Sequence, residues 1–214
     1  MLNVWVIPAI TTFSEALALS ASKVLDIEFS DLKCGYRLRY SQDCIYADVY
    51  LYDSLSSGAG YSSRVAELIY AVLDGIEKRL KNCNCDTTCP SCIQHFWNQK
   101  VKESLDKESG LKLLEWIRDG KIEPHLPINK QRDYLDILNK IIKLQQGDEY
   151  GYEESRDGEF FIKMNGRKRR VIVYPAMCSK NLINSAEDTI LIPDRLFKVA
   201  IPYVWKLVRE QFFK

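Results

Sequence analysis

From residue 61 to 82 apolar side chains return every third or fourth position, at Val65, Leu68, Ile69, Val72, Leu73, Ile76 and Leu80. That period lays one buried stripe along a helix. An earlier helix spans residues 12–26, small and apolar through Ala16, Leu17, Leu19, Ala21 and Val24. Between the two helices the period changes. CGYRLRY (34–40) and IYADVYLYDS (45–54) are rich in β-formers, and the second sets Tyr46, Asp48 and Tyr50 against Ala47, Val49 and Leu51. Alternation of this kind predicts two strands. Gln42 and Asp43 lie in the connection, which makes the pair antiparallel.

SLSSGAGYSS (54–63) is a Gly/Ser-rich turn leading into the long helix. Asp106 is placed to cap a helix over residues 107–119, and Gly120 to close it. Pro124 and Pro127 mark a boundary near residue 125, giving two regions, 1–125 and 126–214. In the second region, residues 131–146 form a helix with Tyr134, Ile137, Leu138, Ile141 and Leu144 on one side. FFIKMNGRKRRVIVYP (160–175) predicts a hairpin turning at Asn165-Gly166. A last helix starts with Asp194 as its cap and runs to 212, kinked or divided by Pro202. Strands and helices mix without βα alternation, so the fold class is α+β.

The chain has 214 residues with 30 basic and 29 acidic side chains, a net charge of +1. That balance predicts no global affinity for polyanions, so a nucleic-acid contact must come from a local patch. No run of 18 or more apolar residues exists, so no membrane-spanning helix is expected. The N-terminus has apolar stretches but no basic leader region, and Glu15 interrupts it. The expectation is a cytoplasmic chain with reduced thiols.

Four of the seven cysteines fall within CNCDTTCPSC, residues 83–92. The spacing is Cys83-x-Cys85-x3-Cys89-x2-Cys92. A C-x2-C turn can offer two sulfurs to one ion, and Cys83 and Cys85 supply the other two corners of a tetrahedron. Four protein ligands leave no open position, so the zinc would be structural. An iron–sulfur cluster, disulfides and a redox C-x-x-C pair are the rival readings, each less well matched by the spacing or the setting. His95 could replace one thiolate. Cys34, Cys44 and Cys178 read as strand or core thiols.

The Gly-rich turn sits between a strand and a helix, a setting that can hold phosphate. It lacks GK[ST] and G-x-G-x-x-G, so Asp53, Gly58 and Gly60 read as a structural turn. Lys163, Arg167, Lys168, Arg169 and Arg170 cluster around the hairpin turn with no acid among them. They are the candidate nucleic-acid contacts, with Phe160, Phe161 and Tyr174 nearby as stacking or core residues. Asp157, Glu159 and Lys163 are the carboxylates and lysine to suspect in an alternative nuclease reading.

YLYDSLSSGAGYSSRVAEL, then the four cysteines, then FWNQ and LDK before a helix, resemble the MrfA-like zinc-binding domain over roughly residues 12–120. That module is found at or near the C-terminus of certain superfamily 2 DNA helicases and in the DrmB subunit of DISARM anti-phage systems. Asp53, Gly58, Ala59, Gly60 and Tyr61 match its turn, with Ser57 in place of a glycine. Asn98 and Gln99 match its N-Q pair, and Leu105, Asp106 and Lys107 its helix start. Lys102 stands where many members have histidine. The resemblance implies one structural Zn2+ held by Cys83, Cys85, Cys89 and Cys92. It also implies a non-catalytic accessory role with a helicase or ATPase subunit acting in trans, in phage defence or DNA repair, with DNA as a further partner. The 214 residues contain no GxxxxGK[ST] and no DEAD or DEAH box. A protein-interaction fragment of a split helicase is the remaining alternative. No family resemblance is recognised for residues 126–214.

Overall fold

The computed structural model describes residues 4–41, 45–55, 58–147 and 150–212. Gln42, Asp43, Cys44 and Ser57, singled out above, lie outside the described residues. Strands and helices combine in an α+β arrangement, as their pattern in the chain implies. Backbone contacts divide the chain into two compact units, Trp5–Lys121 and a second running from Ile122 onward that takes in Val4.

The first unit is built around α1, Val6–Leu25. This helix begins six residues before its apolar pattern suggests. Pro8 sits in its first turn, where backbone N–H groups have no helical partner to lose. The helix is buried on most sides, through Ala9, Phe13, Ala16, Leu17, Ser20 and Ala21 among others. β1 (Leu32–Tyr40) and β2 (Ile45–Asp53) form an antiparallel ribbon in which Leu32 opposes Asp53 and Tyr40 opposes Ile45. One face of the ribbon packs on α1, with the Tyr36 hydroxyl 3.0 Å from Thr11 Oγ1.

The single helix expected over 61–82 is two. α2 spans Tyr61–Glu67 and α3 spans Ile69–Lys81, with Leu68 leaving the helical region at φ −107° and ψ 17°. Val65, Val72, Leu73, Ile76 and Leu80 are buried as the stripe requires, while Leu68 and Ile69 at the break are only half-buried. α4 spans Lys107–Asp119. The Asp106 carboxylate accepts the Ser109 N–H at 2.7 Å, and Gly120 closes the helix at φ 66°.

Small residues let these helices approach α1 closely. Ser20 Oγ donates to the Val72 carbonyl at 2.7 Å, and Thr12 Oγ1 accepts the Asp106 N–H at 2.7 Å. Gly110 faces Thr12, where an added Cβ would lie 2.6 Å from Thr12 Cγ2. In an open helix Gly→Ala gains about 1 kcal/mol of propensity. Here Thr12 is held by its own hydrogen bond, and overpacking typically costs about 1–3 kcal/mol. Gly110→Ala is therefore expected to lower the urea midpoint. A raised midpoint would show that the contact between α1 and α4 yields.

The second unit has a four-stranded sheet in the order β3-β4-β5-β6, formed by Gly151–Glu154, Phe160–Met164, Arg167–Tyr174 and Ile190–Pro193. The expected hairpin is β4–β5, with Asn165 and Gly166 both at positive φ, as its two-residue turn requires. β3 pairs antiparallel to β4, and β6 pairs parallel to β5. Neither outer strand is evident in the local pattern, because each has only four residues. α5 (Ile128–Gln146) buries Leu135, Leu138 and Ile142, not the full stripe anticipated. Ile137 and Leu144 are exposed, while Tyr134 and Ile141 pack at the edge of the core.

The final helix is divided ahead of Pro202, into α6 (Asp194–Val199) and α7 (Ile201–Phe212). Asp194 is not its side-chain cap. It is the first helical residue, and its buried carboxylate accepts the Ala176 N–H at 2.8 Å. Phe160 and Tyr174 are buried core residues and Phe161 is half-buried, so this aromatic trio presents no open stacking surface.

Candidate metal centre

The four cysteines follow α3 directly. Cys83 and Cys85 lie on the segment leaving that helix, and Cys89 and Cys92 bracket a tight turn. The Cys92, Ile93 and Gln94 N–H groups all point at the Cys89 carbonyl, at 3.1, 3.2 and 3.0 Å. The Cys89 N–H in turn points at Cys92 Sγ, at 3.0 Å. Backbone N–H groups aimed at sulfur favour the thiolate, the form that binds metal.

All four Sγ atoms lie within 4.8 Å of one another. Cys83 is 3.4 Å from Cys85 and 3.4 Å from Cys89, and Cys85 is 3.8 Å from Cys92. A tetrahedron with Zn–S bonds of about 2.3 Å has S···S edges of roughly 3.8 Å, so the donor set fits one zinc ion. Thiols this close cannot all ionise freely without a cation. Hydrogen bonding from the Cys83 thiol brings Cys89 down to about 6. Desolvation, then the neighbouring thiols, push Cys85 up to about 12. Cys92 is also raised, chiefly by desolvation.

Two cations fasten the loop to the flanking helices. Arg79 of α3 donates to the Cys92 carbonyl at 2.9 Å. Lys107 of α4 donates to the Cys83 carbonyl at 2.6 Å and lies 3.9 Å from Cys85 Sγ. An ion with four thiolates is net negative, and the Lys107 ammonium offsets part of that charge. The Lys107 N–H also reaches the Thr87 carbonyl at 3.2 Å. The cluster thus joins the end of α3 to the start of α4, and no ligand position is left open.

Behind the cluster, Asn98 gathers three strands of the chain. It is buried, donates to the Ile93 carbonyl at 2.8 Å and to Glu15 Oε2 at 3.1 Å, and accepts the His95 N–H at 2.9 Å. His95 Nδ1 accepts the Trp97 N–H at 3.2 Å, so its proton sits on Nε2 and is shared with Glu15 Oε2 at 3.0 Å. Both ring nitrogens are occupied, which excludes His95 as a ligand in this arrangement. Glu15 is a functional partner that sequence reading missed. It is 80 residues from His95, and its only local signal is a charge inside an apolar helix.

The Gly-rich turn is held by Asp53. Its carboxylate accepts the Gly60 N–H and the Ser62 N–H, both at 2.9 Å. Gly58 and Gly60 adopt φ values of 66° and 77°. Cys34 is half-buried, and burial pushes its thiol up to about 11, which favours the thiol over the nucleophilic thiolate. Cys178 is buried and contacts the Glu123 carbonyl at 3.6 Å.

The basic hairpin tells a different story from its sequence. Acids distant along the chain reach it. Glu153 of β3 pairs with both Lys163 and Lys168. Asp188 meets Arg169 at 3.0 Å, Glu159 meets Arg170 at 2.8 Å, and Arg167 donates to the Phe212 carbonyl at 3.3 Å. Lys168 also lies 4.3 Å over the Phe161 ring. Of the suspected nuclease residues, Glu159 is paired with Arg170 and Lys163 with Glu153. Among the described residues the four cysteines are the only group of three or more His, Cys, Asp or Glu side chains placed to share a metal ion. A cleft of about 610 Å³ beside the zinc loop carries Lys23, Lys78 and Arg79 and no acid or histidine on its wall, so it offers no acid–base pair.

A closed four-thiolate centre that staples two helices defines the first unit as a structural zinc-binding domain. The MrfA Zn-binding domain family matches residues 13–93, from within α1 through the fourth cysteine of the cluster, and this part of the chain is an MrfA-like zinc-binding domain. Druantia protein DruE of Escherichia coli (strain UMEA 4076-1) is 30% identical over 176 residues, covering 80% of this chain and 10% of DruE. The chain thus spans about a tenth of the length of that relative. Because 80% of the chain is more than Trp5–Lys121 can supply, the similarity continues into the second unit. The uncharacterized protein MJ1572.1 of Methanocaldococcus jannaschii is 33% identical over 69 residues, 32% of this chain and 62% of that protein. The crystal structure of DUF1998 helicase MrfA bound to DNA superposes with a TM-score of 0.40 at 20% identity, covering 54% of this chain and 14% of that one. No helix among the described residues is long and apolar enough to cross a membrane.

Proposed function

We propose that this chain is a non-catalytic, zinc-stabilised accessory module that works with a superfamily 2 helicase motor lying outside these 214 residues, in phage defence or DNA repair. The observation that carries this reading is the closed Cys83–Cys85–Cys89–Cys92 centre inside an MrfA-like zinc-binding domain. A site with every ligand position filled by protein stabilises a fold and holds no substrate. The similarity to DruE across both units supports a role for the chain as a whole rather than for the zinc loop alone.

The motor contact is tested by affinity purification of the tagged full chain with a genomically adjacent helicase or ATPase. The expected outcome is a stoichiometric complex and a change in the motor's DNA-stimulated ATPase rate. A chain that neither binds the motor nor alters its rate, while still carrying about one zinc, would refute the accessory role and leave the metal assignment standing.

A further inference from the structure

The outer face of the β1–β2 ribbon belongs to neither the zinc centre nor the core. On that face Lys33 opposes Tyr52, Gly35 opposes Tyr50, Arg37 opposes Asp48 and Arg39 opposes Tyr46. The rings are open to solvent, with Tyr46 at 54%, Tyr50 at 51% and Tyr52 at 46% exposure. Isolated exposed tyrosines need no explanation, but three on one side of a single ribbon form a patch. Gly35 contributes to it. A Cβ there would lie 2.7 Å from the Tyr50 ring, so the glycine allows that ring to lie across the neighbouring strand. Tyr50 and Tyr52 have centroids 6.1 Å apart, tilted by 34°.

The charges on this face differ from those of the hairpin. Its only acid, Asp48, is taken by Arg39 at 2.9 Å, and that guanidinium lies 5.8 Å from the Tyr46 ring centroid. Lys33 and Arg37 have no acidic partner among the described residues. The face is therefore aromatic and positive, and it carries no aliphatic side chain. Protein-docking cores also favour tyrosine and arginine, but they are depleted in lysine. Rings interleaved with unpaired cations are instead the chemistry of a single-stranded nucleic-acid platform, where bases stack and phosphates meet the cations. Paired bases in a duplex cannot be splayed onto such rings.

We propose that the outer face of the β1–β2 ribbon binds single-stranded nucleic acid, with Tyr46, Tyr50 and Tyr52 stacking on bases and Lys33 and Arg37 meeting phosphates. Favouring a nucleic-acid strand over other polyanions rests on the helicase-accessory reading. The base contacts carry no hydrogen-bond readout, so the binding is largely independent of sequence.

The test is fluorescence anisotropy of the zinc-loaded full chain with a labelled 15-nucleotide oligo-dT strand and with a duplex of the same length. The single strand is expected to bind more tightly than the duplex. Tyr50→Ala and Tyr52→Ala are each expected to weaken binding by about 5- to 150-fold, the range for a lost base–aromatic stack. Tyr50→Phe, which keeps the ring, is expected to stay close to wild type. Arg37→Ala should reduce the slope of log K against log salt by about 0.7. These residues are exposed, so zinc content and thermal midpoint should not change. Wild-type affinity in the alanine variants, or equal loss in Tyr50→Phe, would overturn the stacking role. If the wild type binds no strand while the tyrosine variants lose the motor in co-purification, the face is a protein-docking surface. The present proposal then fails and the accessory reading stands.

Discussion

Cys89→Ser is expected to abolish zinc retention and unfold the junction between α3 and α4. The free energy of a structural zinc site is of order 10–16 kcal/mol at neutral pH, comparable with or larger than the whole stability of a typical domain, about 5–15 kcal/mol. Cys89 is also the structural centre of its loop. Its carbonyl receives three N–H groups, and its own N–H points at Cys92 Sγ. Without the ion, the remaining crowded thiols have nothing to hold them together. The Arg79 and Lys107 clips then fasten a loop with no fixed shape. Metal analysis should fall from about one zinc per chain to none, and limited proteolysis should open the chain between residues 83 and 107. The second unit has its own core of Leu135, Leu138, Ile142, Val173 and Trp205, and should keep its protection. A Cys89→Ser protein that retains one zinc and resists cleavage would show that the fold survives on three thiolates.

Asn98→Ala should be the most damaging substitution outside the ligands. Its side chain makes three hydrogen bonds within a buried site. Truncation leaves the Ile93 carbonyl and the His95 N–H short of partners, and each buried group left unsatisfied costs about 1–3 kcal/mol. A loss of about 3 kcal/mol is the expected sum, read as a drop in the denaturant midpoint of the first unit. Asn98→Asp separates hydrogen bonding from shape. It keeps the volume but places a second carboxylate beside Glu15. Like charge raises the folded-state pKa of the introduced acid above its unfolded value. The folded protein then binds more protons than the unfolded chain, so stability rises as pH falls. The aspartate variant should be worse than alanine at neutral pH and recover on acidification, whereas the alanine loss should be nearly flat with pH. Matching pH profiles for the two would refute the contact between Asn98 and Glu15.

Much of the first unit was legible in order along the chain because its information is local. The metal ligands lie within ten residues, and a C-x2-C turn constrains its own geometry. Asp106 and Gly120 act on the helix they border. In the second unit the Asn165-Gly166 turn is local in the same way, needing only two positive φ values. Where a local rule and packing disagreed, packing decided. The stripe over 61–82 is continuous in sequence, yet the helix breaks at Leu68. On α5 the buried face runs through Leu135, Leu138 and Ile142, and Leu144 faces solvent although it continues the apolar stripe.

The sequence by itself determined the zinc centre, the α+β class and most helix boundaries, since spacing, period and capping act over one or two turns of chain. The tertiary structure alone decided the charge of the surfaces. The hairpin reads as five cations with no acid, but Glu153, Asp188 and Glu159 neutralise most of it from other segments. The ribbon reads as an ordinary alternating strand pair, but α1 covers one face and leaves Tyr46, Tyr50 and Tyr52 open beside Lys33 and Arg37. Glu15, His95 and Asn98 meet across about 80 residues of chain. Coulomb pairing and burial depend on distance in space, and a linear pattern does not encode which distant segment will supply the partner.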